Sequence, residues 1–331
     1  MTGVNQRSPE GVEMDLSILT KQELNRRDFV KIAGITVTYF GLSQALTPTI
    51  VNALEQQAGK PAVVWIDGQA CTGCAESFLN NLEPKATDLL LDTISLRYNE
   101  TAMAASGYQA EDALNQTIAK GGYVLVIDGA IPLAENGKYC TIAGKTFVDR
   151  VREAAKNAAV IVCVGACASF GGIPRFGPTN AVGYLYNGTQ LHHTFDDIKK
   201  PVINLPTCPV HNERVVATLV YYLTFGKAPD LDSYQRPLAF YGKLQHDHCA
   251  RRGQFDARHF VTDFKDPTQQ GYCLILKGCK GPIAFQDCWD RLWNNRASYC
   301  VQSSIPCVAC SQPEFFEKGN MLYTHDFNFG V

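Results

Sequence analysis

"PAVVWIDGQACTGCAES", Pro61–Ser77, starts as a short apolar run bounded by Pro and Gly and ends on two cysteines in C-x-x-C spacing. A run of that length, rich in β-branched residues and punctuated at both ends, reads as a buried strand. Cys71 and Cys74 then fall in the loop at the strand's carboxyl end. The pattern recurs in "YVLVIDG" (Tyr123–Gly129), "AAVIVCVGA" (Ala158–Ala166) and "KPVINLP" (Lys200–Pro206). Helical periodicity lies between, as in "KTFVDRVREAAKNA" (Lys145–Ala158) and "NERVVATLVYYLTFG" (Asn212–Gly226). Strands alternating with helices predict an α/β fold with a doubly wound parallel sheet. Sites in such sheets form where loops leave the carboxyl ends of the strands.

More cysteines sit at those ends. "GACASFGG" places Cys167 after the third run, and "PTCPVHN" places Cys208 after the fourth. Four thiolates, from Cys71, Cys74, Cys167 and Cys208, would gather on one sheet edge, able to hold a cubane iron–sulfur cluster or a zinc ion. Gly73, Gly165, Gly171 and Gly172 let backbone approach closely and aim N–H groups at sulfur. Cys163 lies inside an apolar run and reads as a small core residue, while Cys140 has no partner by spacing and reads as a free structural thiol.

Composition narrows the class. The chain has 331 residues, a net charge of −2 and 19% charged residues, which gives no electrostatic footprint for nucleic acid. Thirteen cysteines are the outlier. An odd count in a long chain does not fit a small secreted disulfide scaffold, so metal or cluster ligation is the leading reading.

Beyond "GKAPDLDSYQRPLAFYG" (Gly226–Gly242), which reads as a Pro-containing linker, regular periodicity fades and the ligands continue. "HDHCARRGQFD" and "GYCLILKGCKGP" supply His246, Cys249, Cys273 and Cys279. A spacing of three puts His246 and Cys249 on one side of a helical turn, whereas His248 should point elsewhere. "DCWDRLWNNRASYCVQSSIPCVACSQ" (Asp287–Gln312) adds Cys288, Cys300, Cys307 and Cys310. Eleven of the thirteen cysteines and one histidine thus form three groups of four. A globular chain needs one structural metal at most; three groups in series look like a wire for electrons.

The N-terminal "NRRDFVKIAGITVTYFGLSQALTPTIVNA" (Asn25–Ala53) pairs Arg26 and Arg27 with a weak apolar run from Ile32 to Leu46. The run is shorter than the roughly 20 apolar residues of a spanning helix. It resembles a twin-arginine (Tat) export signal, which carries proteins already folded, with cleavage expected between Leu46 and Lys60. No long apolar segment near the C-terminus suggests a membrane anchor in the mature chain.

Taken together, "CTGC", "GACASFGG", "TCP", "HDHC…GYC…GCKGP" and "PCVAC" resemble the small subunit of the NiFe hydrogenases, from the export segment almost to the C-terminus. The resemblance implies a Tat region over 1–57, a flavodoxin-like domain over 58–228 and a smaller, irregular iron–sulfur domain over 229–331. It implies a proximal 4Fe–4S cluster on Cys71, Cys74, Cys167 and Cys208, and a distal 4Fe–4S cluster on His246, Cys249, Cys273 and Cys279. The medial cluster falls to Cys288, Cys300, Cys307 and Cys310. It also implies a periplasmic heterodimer whose Ni–Fe site belongs to a separate large subunit. This chain would relay electrons from that site to a cytochrome or another membrane-bound or soluble acceptor. Imidazole in place of a thiolate tends to raise a cluster's potential, which suits an exit at the distal end, and the basic Ala250–Arg252 could help dock an acidic acceptor.

Three departures from the family pattern stand out. Oxygen-tolerant members carry extra cysteines beside the proximal cluster where this chain has Gly73 and Gly172. Ala70 occupies a place that is often acidic, leaving Glu76 as the nearby carboxylate. Many members have proline at the second medial position and a three-iron cluster, whereas Cys300 stands here. A thiolate can hold the fourth iron, so a medial 4Fe–4S cluster is expected, or 3Fe–4S if Cys300 is unused. Two other readings are a quinone-reductase (complex I-like) iron–sulfur subunit, which would carry only the proximal-type cluster, and a zinc-stabilised secreted binding protein.

Overall fold

The computed structural model describes residues 26–56, 62–81 and 94–315. Asn25 and Lys60–Pro61 lie outside the described residues.

Five strands, β1 (Ala62–Asp67), β2 (Ser95–Tyr98), β3 (Val124–Asp128), β4 (Val160–Val164) and β5 (Val202–Leu205), form one sheet in the order β2-β1-β3-β4-β5. Every pairing is parallel, with Val63↔Val124, Val124↔Val160 and Ile161↔Val202 fixing the register. This is the flavodoxin-like strand order. The four apolar runs anticipated from sequence are β1, β3, β4 and β5; the edge strand β2, four residues with Arg97 among them, was not.

Helices cover both faces, because strands this apolar must be buried on both sides. On one face α4 (Gly107–Lys120) and α5 (Phe147–Asn157) bury Ala110, Leu114, Val151, Ala154 and Ala155 against Val64, Ile66, Leu125 and Ile127. Thr146 caps α5, its Oγ1 accepting from the Asp149 N–H at 3.2 Å. On the other face α3 (Gly73–Leu79) and α7 (Asn212–Phe225) pack Phe78, Val215, Leu219 and Val220 against Val63, Trp65, Val126 and Val162. Between β4 and β5 the short α6 (Gly165–Phe170) carries Cys167.

The segment resembling an export signal is folded onto this second face. Helices α1 (Arg26–Tyr39) and α2 (Thr47–Gln56) pack against each other and against α7. They bury Ile32, Ala33, Val37, Ile50 and Val51 in the same core. The Tyr39 hydroxyl donates to Glu213 Oε2 on α7, and the Arg291 guanidinium lies 3.8 Å from the centre of its ring. A weak apolar stripe at helical spacing thus serves as a packing face here. No described helix is long and apolar enough to cross a membrane.

The remaining chain packs around a third core of Val261, Leu274, Ala284, Tyr299 and Val301 together with cysteines 279, 288 and 307. It is built from turns, short 3-10 segments and the brief α-helices Arg252–Asp256 and Cys288–Arg291. The stretch read as a linker is itself packed: Phe240 and Tyr241 are buried in the α7-side core. Arg236 Nη1 donates to the Ser311 carbonyl at 2.8 Å. Asp287 is shared by Arg214 and Arg291, one on each side of the junction.

Ile50 is fully buried under α2, and deleting such a side chain costs about 2–5 kcal/mol. In the unprocessed chain Ile50→Asp should therefore release the N-terminal helical pair. Limited proteolysis should show new cuts within 26–56 while 94–315 stays protected; an unchanged digest would contradict this packing.

Candidate metal centres

The parallel sheet delivers the first group of thiols. Cys71 and Cys74 flank the start of α3, and the residue after Cys71, Thr72, has φ 66°. That left-handed turn brings the second thiol back beside the first and aims the loop's N–H groups inward. Cys167 arrives on α6 from β4, and Cys208 follows β5 ahead of the cis Cys208–Pro209 bond. Two positions exclude any side chain. A Cβ on Gly165, at φ +83°, would meet Cys74 Sγ at 2.5 Å; on Gly172, at φ +49°, it would meet Cys167 Sγ at 2.8 Å. At Gly73 it would stand 3.1 Å from Cys71 Sγ.

Burial is costly for bare thiolates. It pushes the Cys167 thiol up to about 12, with the Cys208 thiol beside it the next contributor. Cys74 is raised too, by burial first and then by Asp128. A positively charged iron core removes that penalty, as thiolate ligation to a metal does generally. The Val210 N–H already points at Cys74 Sγ, 3.5 Å away. Asp128, unremarked from sequence, ends β3 at this edge with its Oδ2 buried and unpartnered. Burial, then the Asp67 carboxylate across the register, lifts it to about 7. Its signal was its place at a strand's carboxyl end. Glu76 is exposed on α3.

His246, Cys249, Cys273 and Cys279 line a single cavity together with Gln245. Cys249 closes a turn back to His246, its N–H on the His246 carbonyl at 3.3 Å. The two histidines diverge: His246 sets its ring against Phe255 inside this region, whereas His248 stacks on Trp289 at 4.3 Å. Burial, then the Arg252 charge, lowers His246 and so favours its neutral imidazole, the form that binds metals. Cys249 Sγ accepts from the Arg251 N–H at 3.4 Å. Gln245 is buried with neither side-chain polar atom partnered; such an orphaned donor faces the cavity where a cluster's sulfides would accept from it. The basic triplet is mostly satisfied internally. Arg251 turns in to Tyr272 and Ser304, and exposed Arg252 pairs with Asp247 and Asp256.

Cys288 and Cys307 are buried in the third group, with Cys310 half-buried beside them. Cys288 Sγ receives the Trp293 indole N–H at 3.4 Å and Arg214 Nη2 at 3.7 Å. Cys307 Sγ receives the Ala309 N–H at 3.4 Å and Gln286 Nε2 at 3.5 Å. Ala309, at φ 52°, repeats the left-handed turn of the first C-x-x-C loop. Cys300 is the most open of the four, yet near enough to help raise the Cys310 thiol behind burial, Cys288 and Cys208. Cys140 and Cys163 join none of the groups; Cys163 is fully buried in β4.

The groups touch each other. Cys208 lies close enough to help raise the Cys310 thiol behind burial and Cys288, and the Cys307 N–H donates to Cys279 Sγ at 3.3 Å. All thirteen cysteines are free thiols. Among the described residues no three His, Cys, Asp or Glu side chains converge on one ion. The His246, Cys249, Cys273 and Cys279 side chains instead border one cavity.

Comparison with known proteins agrees. Residues 71–222 match the family model "NADH ubiquinone oxidoreductase, 20 Kd subunit", and residues 241–323 match the C-terminal family model of the NiFe/NiFeSe hydrogenase small subunit. The first model alone is compatible with the quinone-reductase reading; the second is specific to hydrogenases. The chain is 42% identical over 308 residues to the uptake hydrogenase small subunit of Afipia carboxidovorans, covering 92% of this chain and 81% of that protein. It is 38% identical to the hydrogenase-1 small chain of Escherichia coli, covering 91% and 80%. The recombinant [NiFeSe] hydrogenase of Desulfovibrio vulgaris Hildenborough superposes with a TM-score of 0.72 at 33% identity, over 81% of this chain and 98% of that one. Hydrogenase small subunits carry iron–sulfur clusters and pair with a large subunit that bears the catalytic site. This chain belongs to that family, the electron-transfer small subunits of the NiFe hydrogenases.

Proposed function

We propose that the chain holds three iron–sulfur clusters and conducts electrons between the Ni–Fe site of its large subunit and an external acceptor, a cytochrome or another membrane-bound or soluble carrier. The observation that carries this reading is the adjacency of the donor sets, the Cys307 N–H on Cys279 Sγ at 3.3 Å and Cys208 beside Cys310. Iron–sulfur clusters supply one-electron redox chemistry when bound. The chain's own residues do the rest. The sheet edge holds Cys71, Cys74, Cys167 and Cys208 for a proximal 4Fe–4S cluster. His246, Cys249, Cys273 and Cys279 hold a distal 4Fe–4S cluster at the far end, and Cys288, Cys300, Cys307 and Cys310 hold the medial one between them.

Cys71 and Cys208 are exposed in the isolated chain, which suits a sheet edge that lies under the large subunit. Arg26–Arg27 and the apolar run after them support Tat export to the periplasm as a folded pair with that subunit. The division 1–57, 58–228 and 229–331 follows the same reading, with the packed Phe240 and Tyr241 at the seam.

Iron and acid-labile sulfide in the anaerobically purified heterodimer test the reading. Between about 11 and 12 irons per small subunit, after subtraction of the large subunit's iron, is the expected result for three clusters of the types named. About one zinc and no sulfide would support the zinc-stabilised alternative.

The medial cluster is a 4Fe–4S cluster if Cys300 ligates. Mildly oxidised enzyme should then give no three-iron electron-resonance signal, and Cys300→Pro should create one. A strong three-iron signal in the unmodified protein would refute ligation by Cys300.

His246→Ala should slow electron delivery to soluble acceptors at least tenfold, while isotope exchange, which is confined to the nickel site, stays near its starting rate. If His248→Ala gives that phenotype and His246→Ala does not, the ligand is His248.

A further inference from the structure

We propose that Arg214 is a positioning residue of the electron path, a buried permanent cation set between the proximal and medial donor groups that raises the reduction potential of the cluster at Cys288. This rests on the three-cluster reading above. Arg214 lies near the start of α7 with 0% exposure. Its Nη2 stands 3.7 Å from Cys288 Sγ, and its Nη1 donates to Thr207 Oγ1 at 3.3 Å. Thr207 immediately precedes Cys208, so one guanidinium reaches the ligand loop of one set and the thiolate of the next.

Each of its donors is committed. Nη1 also reaches the Tyr241 hydroxyl at 3.5 Å, and Nε and Nη2 both donate to Asp287 Oδ1. Counting Thr207 and Cys288, the contacts occupy all of the five N–H donors an arginine has. The Tyr241 ring lies 4.9 Å from the guanidinium carbon. Rotation away from the sulfur would break several of these contacts together.

A simple domain-tying ion pair would need only Asp287. Two observations point further. Asp287 is shared, with Oδ1 on Arg214 and Oδ2 on Arg291 at 2.7 Å, and Arg291 holds Glu213 as well at 3.0 Å. Arg214 Nη2 also stands on the Cys288 sulfur itself, a contact that an ion pair to Asp287 does not require. Hydrogen bonds and positive charge at a ligating sulfur stabilise the more negative, reduced state of a cluster. The effect is large in a dry interior, where charges are weakly screened. Nothing in "NERVV" distinguishes this arginine from an ordinary surface one.

Arg214→Gln removes the cation while Asp287 keeps Arg291, so no buried carboxylate is stranded. Potentiometric titration of the anaerobic heterodimer, followed by electron resonance, reads each cluster separately. In Arg214→Gln the medial cluster's oxidised-to-reduced ratio at a fixed potential should rise at least tenfold, equivalent to about 59 mV for a one-electron couple. Arg214→Lys should give a smaller shift in the same direction. Arg291→Lys, which loosens the junction without touching Cys288, should give none. An unshifted medial potential in Arg214→Gln with full iron content would overturn the proposal. So would loss of the medial signal in Arg214→Gln together with an unshifted potential in Arg214→Lys, since that pattern marks a purely structural role. Absence of clusters from the unsubstituted enzyme would instead sink the three-cluster reading.

Discussion

One buried carboxylate holds the two halves of the molecule in register. Asp287 sits between Arg214 on α7 and Arg291 in the C-terminal part, and Arg291 passes the connection on to Glu213 and the Tyr39 ring. Removing one member of a buried pair leaves a charge without compensation, at about 3–5 kcal/mol. Paired on both sides, Asp287 stays ionised: the two guanidiniums hold it below the usual carboxylate range despite full burial. Because residue 288 is itself a thiol, the same contact that joins the halves sets where the third cysteine group begins. Its position relative to the sheet edge follows from charge pairing more than from apolar packing.

Sheet polarity imposes the complementary order. All five strands run parallel, so their carboxyl ends share one edge, and loops that leave them far apart in sequence converge there without further instruction. The C-terminal part has no such device. It relies on short turns with left-handed residues, among them Asn294, Asn295, Arg296 and Ala309, and on ties to its own backbone. Backbone strain of this sort persists only where surrounding contacts over-determine it, and here the cysteines and the Asp287 junction supply those contacts.

Much of this was legible in the sequence. Four apolar runs announced the sheet, and the cysteine spacings announced the donor groups, because both are short-range patterns. What stayed hidden depends on distant neighbours. β2 is four residues long and only its last is buried; it becomes a strand by pairing with β1. Arg214 and Gln245 look like surface residues until burial isolates them. Asp128 gains its character from Asp67 on the adjacent strand. The N-terminal apolar stripe shows how one pattern can satisfy two readings: a weak run after twin arginines suits an export signal, and the same side chains at helical spacing suit a packing face on α7. That His246 and His248 turn to different neighbours was readable from spacing because a turn of three residues is local geometry.

One link between the thiol groups, from Cys307 to Cys279, is donated by a main-chain amide. An amide proton is encoded by no particular residue type; only proline deletes it. The donor half of that contact therefore survives substitution of its own side chain, although the accepting sulfur at Cys279 does not. Drift at such a position can exchange the side chain while the amide keeps the two segments at their spacing.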